Sequence, residues 1–82
     1  METIAARHML EKMLTKNIIG AKHTSIDNVV KSLPKHLRGD AEKVLKQLRI
    51  IGYVTFHPTS YGMEVSINPT KLGEIKKTLG LP

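Results

Sequence analysis

The spacing of hydrophobic residues in this 82-residue chain changes at Gly52. Before this glycine, apolar side chains recur every three or four residues, a period that predicts amphipathic helices. After it, Val54 and Phe56, and later Val65 and Ile67, alternate with polar residues, a period that predicts strands. A chain of this length has room for one hydrophobic core. The sequence therefore predicts a single α+β domain that spans the whole chain.

Three helices are predicted before the change in spacing. The first covers about residues 3–17, and the extended piece Lys22–Thr24 that follows has room for only a token strand. Thr24 or Ser25 then caps a second helix, since either hydroxyl can accept a hydrogen bond from a first-turn amide. Pro34 ends that helix. The apolar stripes of these two helices are Ala6, Met9, Leu10, Met13 and Leu14, and Ile26, Val29, Val30 and Leu33.

The third helix is predicted over about residues 40–51. Asp40 is suited to cap its first turn, and Gly52 is placed to end it. The residues on its inward stripe are Ala41, Val44, Leu45, Leu48 and Ile51. Its opposite face carries charged and amide side chains, which are therefore available to a partner.

Residues 53–67 are predicted to form a two-stranded hairpin. Pro58–Gly62 connects the strands, and this connection is somewhat longer than the tightest turns. Asn68 as cap and Pro69 at the first helical position then start a final helix over about residues 69–79. The inward residues of that helix are Leu72, Ile75 and Leu79.

Positive charge is concentrated in one part of the chain. Lys and Arg number 13 against 7 Asp and Glu, which gives a formal net charge of +6. Residues 31–49 hold six cations and two acids and so contribute +4 of that charge. The imbalance favours a polyanionic partner, with nucleic acid ahead of a membrane surface. The 3 Phe and Tyr residues leave little for the base-stacking platforms of single-strand binders.

Other classes of function have no motif in the sequence. There is no Cys, and the 4 His lack HxH or HxxxH spacing, so neither a metal nor another cofactor is expected. No P-loop, nucleophile elbow or dinucleotide-binding glycine pattern is present, and we expect no enzymatic activity and no small-molecule ligand. Charged residues interrupt the N-terminal region, which argues against a signal peptide or membrane span and favours a cytoplasmic protein.

The predicted order of elements is helix, short strand, helix, tight turn, helix, hairpin and helix. Short motifs accompany this order: Pro34-Lys35-His36, Pro58-Thr59, Tyr61-Gly62, Val65-Ser66 and Asn68-Pro69. In both respects the chain resembles small archaeal winged helix-turn-helix DNA-binding proteins of unassigned role, over almost its whole length. The resemblance implies a three-helix core, a two-stranded wing tipped by Pro58–Gly62 and a C-terminal helix. It also implies that the third helix is the recognition helix.

The candidate residues for binding double-stranded DNA lie on the third helix, in the turn before it and at the hairpin tip. They are Lys35, His36, Arg38, Lys43, Lys46, Gln47, Arg49, Thr59, Ser60 and Tyr61. A helix fits the major groove and presents side chains to base edges, while flanking cations hold phosphates. We therefore expect Gln47 to read adenine. Lys35, His36 and Arg38 are expected to clamp a phosphate near the positive end of the helix.

Each of these residues also has an ordinary structural explanation. Lysines on an amphipathic helix can be its solvated face, and Gln47 has good helix propensity. A turn enclosed by Pro34 and Gly39 needs polar residues whatever it binds. Tyr61 can cover Pro58 or the sheet edge. The hairpin tip carries no Lys or Arg, so we expect it to contribute weakly.

The main alternative is a winged-helix module that docks on protein within a larger nucleic-acid-processing assembly, because fold alone does not specify a partner. Ile50, which points outward on the third helix, suits either a thymine methyl group or a protein contact. A homodimer through the terminal helices would double the contacts with DNA. Met9, Met13 and the stripe of the last helix must serve either that dimer or the core.

Overall fold

A computed structural model describes residues 3–82 and shows an α+β architecture, as predicted, with four α-helices and a three-stranded antiparallel sheet in that range. The helices are α1 (Ile4–Thr15), α2 (Ile26–Lys31), α3 (Ala41–Ile50) and α4 (Leu72–Leu79). The strands are β1 (Thr24–Ser25), β2 (Val54–Thr59) and β3 (Gly62–Ile67). Single turns of 3-10 helix at Lys35–Leu37 and Pro69–Lys71 precede α3 and α4.

Side-chain caps begin the first two helices but not the third. Thr3 accepts a hydrogen bond from the amide of Ala6, and Ser25 accepts one from the amide of Asn28. Both capping residues have extended backbone, with ψ at 151°. The prediction that Asp40 caps α3 is wrong: its ψ is 14° and its side chain makes no capping hydrogen bond. The chain reaches α3 through a turn, and that conformation does not aim the Asp40 carboxylate at the first-turn amides.

The apolar stripes of α1 and α3 meet in the core. The residues that these two helices bury are Ala5, Ala6, Met9, Leu10 and Met13, and Ala41, Val44, Leu45 and Leu48. Ile51 was predicted on the same stripe, but its side chain is 46% exposed. The helix ends at Ile50, and Gly52 turns the chain away with a φ of +85°. Ile51 therefore lies at the helix end, beyond the core contact.

The sheet has one strand more than the predicted two-stranded hairpin. Its order is β1-β3-β2, so the last strand in sequence is central. Thr24 of β1 pairs with Val65, and Ser25 pairs with Glu64. The extended piece before α2 was expected as a token strand, and it is incorporated because β3 offers an unpaired edge to it.

The hairpin turn is tighter than predicted. Thr59 pairs with Gly62, which leaves only Ser60 and Tyr61 between the strands, and Pro58 belongs to β2. The Thr59 hydroxyl donates to the Gly62 carbonyl at 2.7 Å and accepts from the Tyr61 amide at 3.2 Å. Gly62 has a φ of +131°, which a residue with a side chain rarely adopts. Pro58 fits because β2 is an edge strand with a free side.

The face of the sheet that was expected to be solvated carries a closed polar cluster. Ser66 is 0% exposed, and its hydroxyl lies 3.0 Å from His57 Nε2 and 3.1 Å from Thr55 Oγ1. The His23 ring stacks on His57 with centroids 4.5 Å apart, and His23 Nδ1 contacts Glu64 Oε1. The cluster joins the segment before β1 to both hairpin strands, so mutual hydrogen bonding compensates the burial of Ser66.

Tyr53 is a second departure from strict alternation. Strict alternation would place it on the outward face with Thr55 and His57, but it is buried before the start of β2. Its hydroxyl donates to Glu74 Oε2 at 2.6 Å. Tyr53 lies between the end of α3 and the start of β2, so the alternation of the strand does not yet determine which way its side chain faces.

The terminal helices pack within the chain. Met9, Met13, Ile75 and Leu79 are buried, and Leu72 packs against the core. The Arg7 guanidinium donates to the Leu79 carbonyl at 3.1 Å. These stripes therefore serve the core of a single chain.

The start of α4 is later than predicted. The Asn68 side chain accepts from the Thr70 amide at 3.1 Å, as expected of a cap, but it starts the 3-10 turn Pro69–Lys71. The α-helix proper begins at Leu72. Within residues 3–82 no helix is long and apolar enough to cross a membrane.

Candidate nucleic-acid interface

The outward face of α3 carries Lys43, Lys46 and Gln47, all exposed. Lys46 and Gln47 lie three and four positions after Lys43, so both are its neighbours on the helix surface. They lie opposite the buried Leu45 and Leu48, because the core fixes the rotation of the helix about its axis. The structure therefore places three of the predicted binding residues together on one solvent-facing surface.

No side chain within residues 3–82 neutralises the two lysines. The four ion pairs in this range are formed by Arg7, His23, Lys31 and Lys71 with neighbouring carboxylates. The side chains of Lys43, Lys46 and Gln47 make no hydrogen bond or ion pair with any of the residues described. An external anion can thus approach them without breaking an internal contact.

The three predicted phosphate ligands in the turn before α3 differ in whether their side chains are free to bind a phosphate. Lys35 and His36 are exposed on the 3-10 turn, and neither side chain has a partner among residues 3–82. Arg38 differs, because its Nε donates to the Leu33 carbonyl at 2.9 Å and its Nη2 donates to the Lys31 carbonyl at 3.0 Å. It satisfies carbonyls at and beyond the end of α2 and joins them to the turn that enters α3.

Arg49 is also engaged within the chain. Its guanidinium carbon lies 5.2 Å from the centre of the Phe56 ring on β2. Such a cation–π contact holds the charge beside the hairpin. The residue remains exposed, but its position is set by the sheet as well as by α3.

The hairpin tip presents Ser60 and Tyr61 to solvent. Tyr61 is 99% exposed, so it covers neither Pro58 nor the sheet edge. The Thr59 hydroxyl proton is used inside the turn, as described above, and is not free to donate to a phosphate. Two of the three predicted tip residues are therefore open to a partner.

A groove of about 570 Å³ runs between the tip and the start of α3. Its lining includes Tyr61, Gly62 and Met63 from the hairpin tip, Ala41 and Glu42 from α3, and Ile26, Asp27 and Val30 from α2. The tip and the first turn of α3 thus lie on the same side of the molecule and can contact one partner.

Sequence reasoning did not identify three further residues of this groove, Asp27, Glu42 and Met63. Alternation with Val65 and Ile67 would place Met63 on the core face, yet it is exposed next to the tip. Two carboxylates line the groove, and its one cation among residues 3–82, Arg38, is already bonded to backbone carbonyls, which disfavours a phosphate there. The cationic surface is the adjoining outward face of α3.

The histidines do not form a metal centre in the part of the chain described. No group of three or more His, Cys, Asp or Glu side chains within residues 3–82 is arranged to hold a metal ion. His23 and His57 stack face to face, a geometry in which their ring nitrogens do not converge on one point.

In comparisons with known proteins, no protein-family model, no curated protein and no solved structure matches this chain. The geometry of the α3 surface is therefore the basis for a functional interpretation.

Proposed function

We propose that the chain is a winged helix-turn-helix domain that binds double-stranded DNA without catalysis, as a small transcriptional regulator. In this proposal α3 is the recognition helix and the β2–β3 hairpin is the wing. The observation that carries it is the exposed, unpaired group Lys43, Lys46 and Gln47 on the side of α3 opposite the core. A helix in the major groove requires its readers and cations on that side.

The proposed roles follow from what each side chain is free to do. Lys43 and Lys46 bind phosphates that flank the groove, and Gln47 contacts a base edge with its amide. Lys35 and His36 bind a phosphate near the first turn of α3, where no side chain caps the helix amides. Arg38 and Arg49 position the interface through their contacts with α2 and Phe56. Ser60 and Tyr61 contact the sugar-phosphate backbone beside the main groove contact.

The direct test is a fluorescence-anisotropy titration with duplex DNA across a range of salt concentrations. We expect Lys43→Glu combined with Lys46→Glu to abolish duplex binding. Both side chains are exposed, so thermal stability should change by less than about 0.5 kcal/mol. The matched control is Lys76→Glu with Lys77→Glu on α4, which changes the net charge equally and should retain most of the affinity. Equal loss in the two variants would indicate bulk charge attraction and overturn the assignment of the surface.

Salt dependence gives a second measurement of the same contacts. Binding through about five phosphates predicts a log–log slope of affinity against salt near −4 to −5. Replacing Lys43 and Lys46 by Gln should make that slope shallower by about 2, one unit for each phosphate contact removed. A slope near zero in the unmodified protein would contradict DNA binding.

One observation favours the alternative of protein docking. Ile50 is 83% exposed on the same helix, and Tyr61 and Met63 are exposed at the hairpin. Apolar side chains at these positions suit a protein contact better than a phosphate backbone. A protein partner bound through them would be released by Ile50→Asp and would respond little to salt.

A further inference from the structure

The most outward position on α3 is occupied by an apolar side chain. Successive residues of an α-helix are rotated by about 100° about its axis. By this rotation Ile50 lies within about 10° of the direction opposite the mean of the four residues that α3 buries. Its side chain is 83% exposed. The residue that points most directly at any partner of α3 is therefore an isoleucine.

Two lysines flank Ile50 around the helix. Lys43 lies seven positions and Lys46 four positions before it, which places them about 20° to one side and about 40° to the other. Both lysines are exposed, and neither ammonium pairs with a carboxylate among residues 3–82. A single exposed apolar side chain is common on protein surfaces, but this one is set between two uncompensated positive charges. A matching partner presents an apolar group between two anions.

The major groove of duplex DNA has that pattern. Its floor is formed by base edges, on which the C5-methyl group of thymine is the apolar feature, and phosphates line both of its sides. A helix that enters the groove directs its most outward residue at the floor and its flanking cations at the two backbones. Ile50 therefore faces the bases when Lys43 and Lys46 face phosphates.

The dimensions of α3 allow these contacts to form together. The helix has 10 residues and is about 15 Å long, close to the width of about 12 Å of the major groove. Lys43 and Ile50 are separated by about 10.5 Å along the axis, which corresponds to about three base-pair steps. The last turn of α3, which carries Ile50, thus reaches the same groove as the turns before it.

The surroundings of Ile50 favour DNA over a protein partner. The exposed Tyr61 and Met63 line the groove beside the start of α3, whereas Ile50 is at the other end of the helix, so the three do not form one apolar patch. The centre of a protein interface is depleted in lysine, and Ile50 has a lysine on each side. A methyl group between phosphates therefore suits Ile50 better than an apolar protein surface does.

We propose that Ile50 contacts the C5-methyl group of a thymine in the major groove and so makes α3 prefer an A·T base pair at that position. The contact rests on the DNA binding proposed above and adds the base that the helix selects. Removal of the thymine methyl group should weaken binding about fourfold, the factor for burial of one methyl-sized group.

The test compares duplexes that differ only in this methyl group. Fluorescence anisotropy measures binding to a short alternating dA-dT duplex, in which every register offers a thymine, and to the same duplex with deoxyuridine in place of thymidine. We expect the thymine duplex to bind about fourfold more tightly. An alternating dG-dC duplex that contains 5-methylcytosine should likewise bind more tightly than its unmethylated form, because its methyl group also lies in the major groove.

Two variants locate the contact. Ile50→Ala should bind the thymine and uracil duplexes equally, and its Tm should be nearly unchanged because the side chain is exposed. Ile51→Ala is the matched control, since this neighbouring isoleucine is 46% exposed but is rotated about 100° away from Ile50. The control should keep the fourfold preference for thymine.

The outcomes separate the thymine contact from the function on which it rests. Salt-dependent binding with equal affinity for the thymine and uracil duplexes would overturn the contact while DNA binding stands. A preference for thymine that survives Ile50→Ala would also overturn it and would leave Ile50 free for a protein partner. A lack of binding to every duplex would overturn both proposals.

Discussion

Arg38 offers the sharpest test, because the role predicted for it from the sequence differs from the role that its contacts in the structure indicate. The sequence predicts a phosphate clamp, whereas the structure shows its guanidinium bonded to the carbonyls of Lys31 and Leu33. If the second task is the main one, Arg38→Gln should lower the stability of the free protein.

The magnitude follows from the two hydrogen bonds. The bond to Leu33 is 2.9 Å long and half-buried, while the bond to Lys31 is 3.0 Å long and exposed. A typical intramolecular hydrogen bond contributes about 0.5–1.5 kcal/mol net, and the exposed one belongs at the lower end because water can replace it. We therefore expect a loss of about 1–2 kcal/mol in the free energy of unfolding, which lowers Tm by about 4–8 °C for each kcal/mol.

Urea unfolding followed by circular dichroism measures this loss without DNA. Arg38→Lys should recover only part of it, since one ammonium lacks the planar fork that spans both carbonyls. Lys35→Gln is the matched control: it removes a cation from the same turn but leaves stability within about 0.5 kcal/mol. If Arg38→Gln were as stable as the unmodified protein, the two hydrogen bonds would have no energetic role and the phosphate-clamp interpretation would regain its basis.

Three further substitutions test the core and the helix starts. Leu48→Ala removes a buried side chain opposite the proposed DNA surface and should cost about 2–5 kcal/mol in chemical denaturation, whereas a near-neutral result would mean that the rotation of α3 is misassigned. Ser25→Ala should cost about 1 kcal/mol because it removes the cap of α2, while Asp40→Ala should cost less than about 0.5 kcal/mol because no cap is lost; the reverse order in thermal melts would restore Asp40 as a cap.

Hydrophobic spacing was sufficient to predict much of the fold. The helical period before Gly52 identified the buried faces of α1 and α3, because burial of an apolar stripe depends on local spacing alone. The hairpin followed from alternation in the same way. The β1–β3 pairing depends on residues about half the chain apart, so local spacing could indicate an extended piece but not its partner.

The departures at individual residues arise from tertiary contacts. Ser66 has the polarity of a solvated position, yet His57 and Thr55 satisfy its hydroxyl and allow it to be buried. Asp40 has the composition of a cap, but the cap also needs an extended backbone that the preceding turn does not supply. The type of side chain therefore indicates which contacts a residue can make, and the backbone conformation and the neighbouring elements decide whether it makes them.

In the candidate site, too, local spacing predicted the positions of side chains but not their contacts with other elements. The outward position of Lys43 and Lys46 followed directly from the phase of α3, and the structure places them as expected. The contacts of Arg38 with α2 and of Arg49 with Phe56 join separate elements, and spacing along one helix contains no information about them. The count of positive charges therefore predicted more cations free to bind DNA than the structure shows.

The central place of β3 in the sheet bears on how the protein is made. Synthesis proceeds from the N-terminus, so the three helices leave the ribosome before the strand that must lie between β1 and β2. Until residue 67 has emerged, neither outer strand has a neighbour, and the apolar faces of the nascent helices have no sheet to cover them. A product released before that point would expose apolar surface to chaperones and proteases, because the sheet can form only after β3 has emerged.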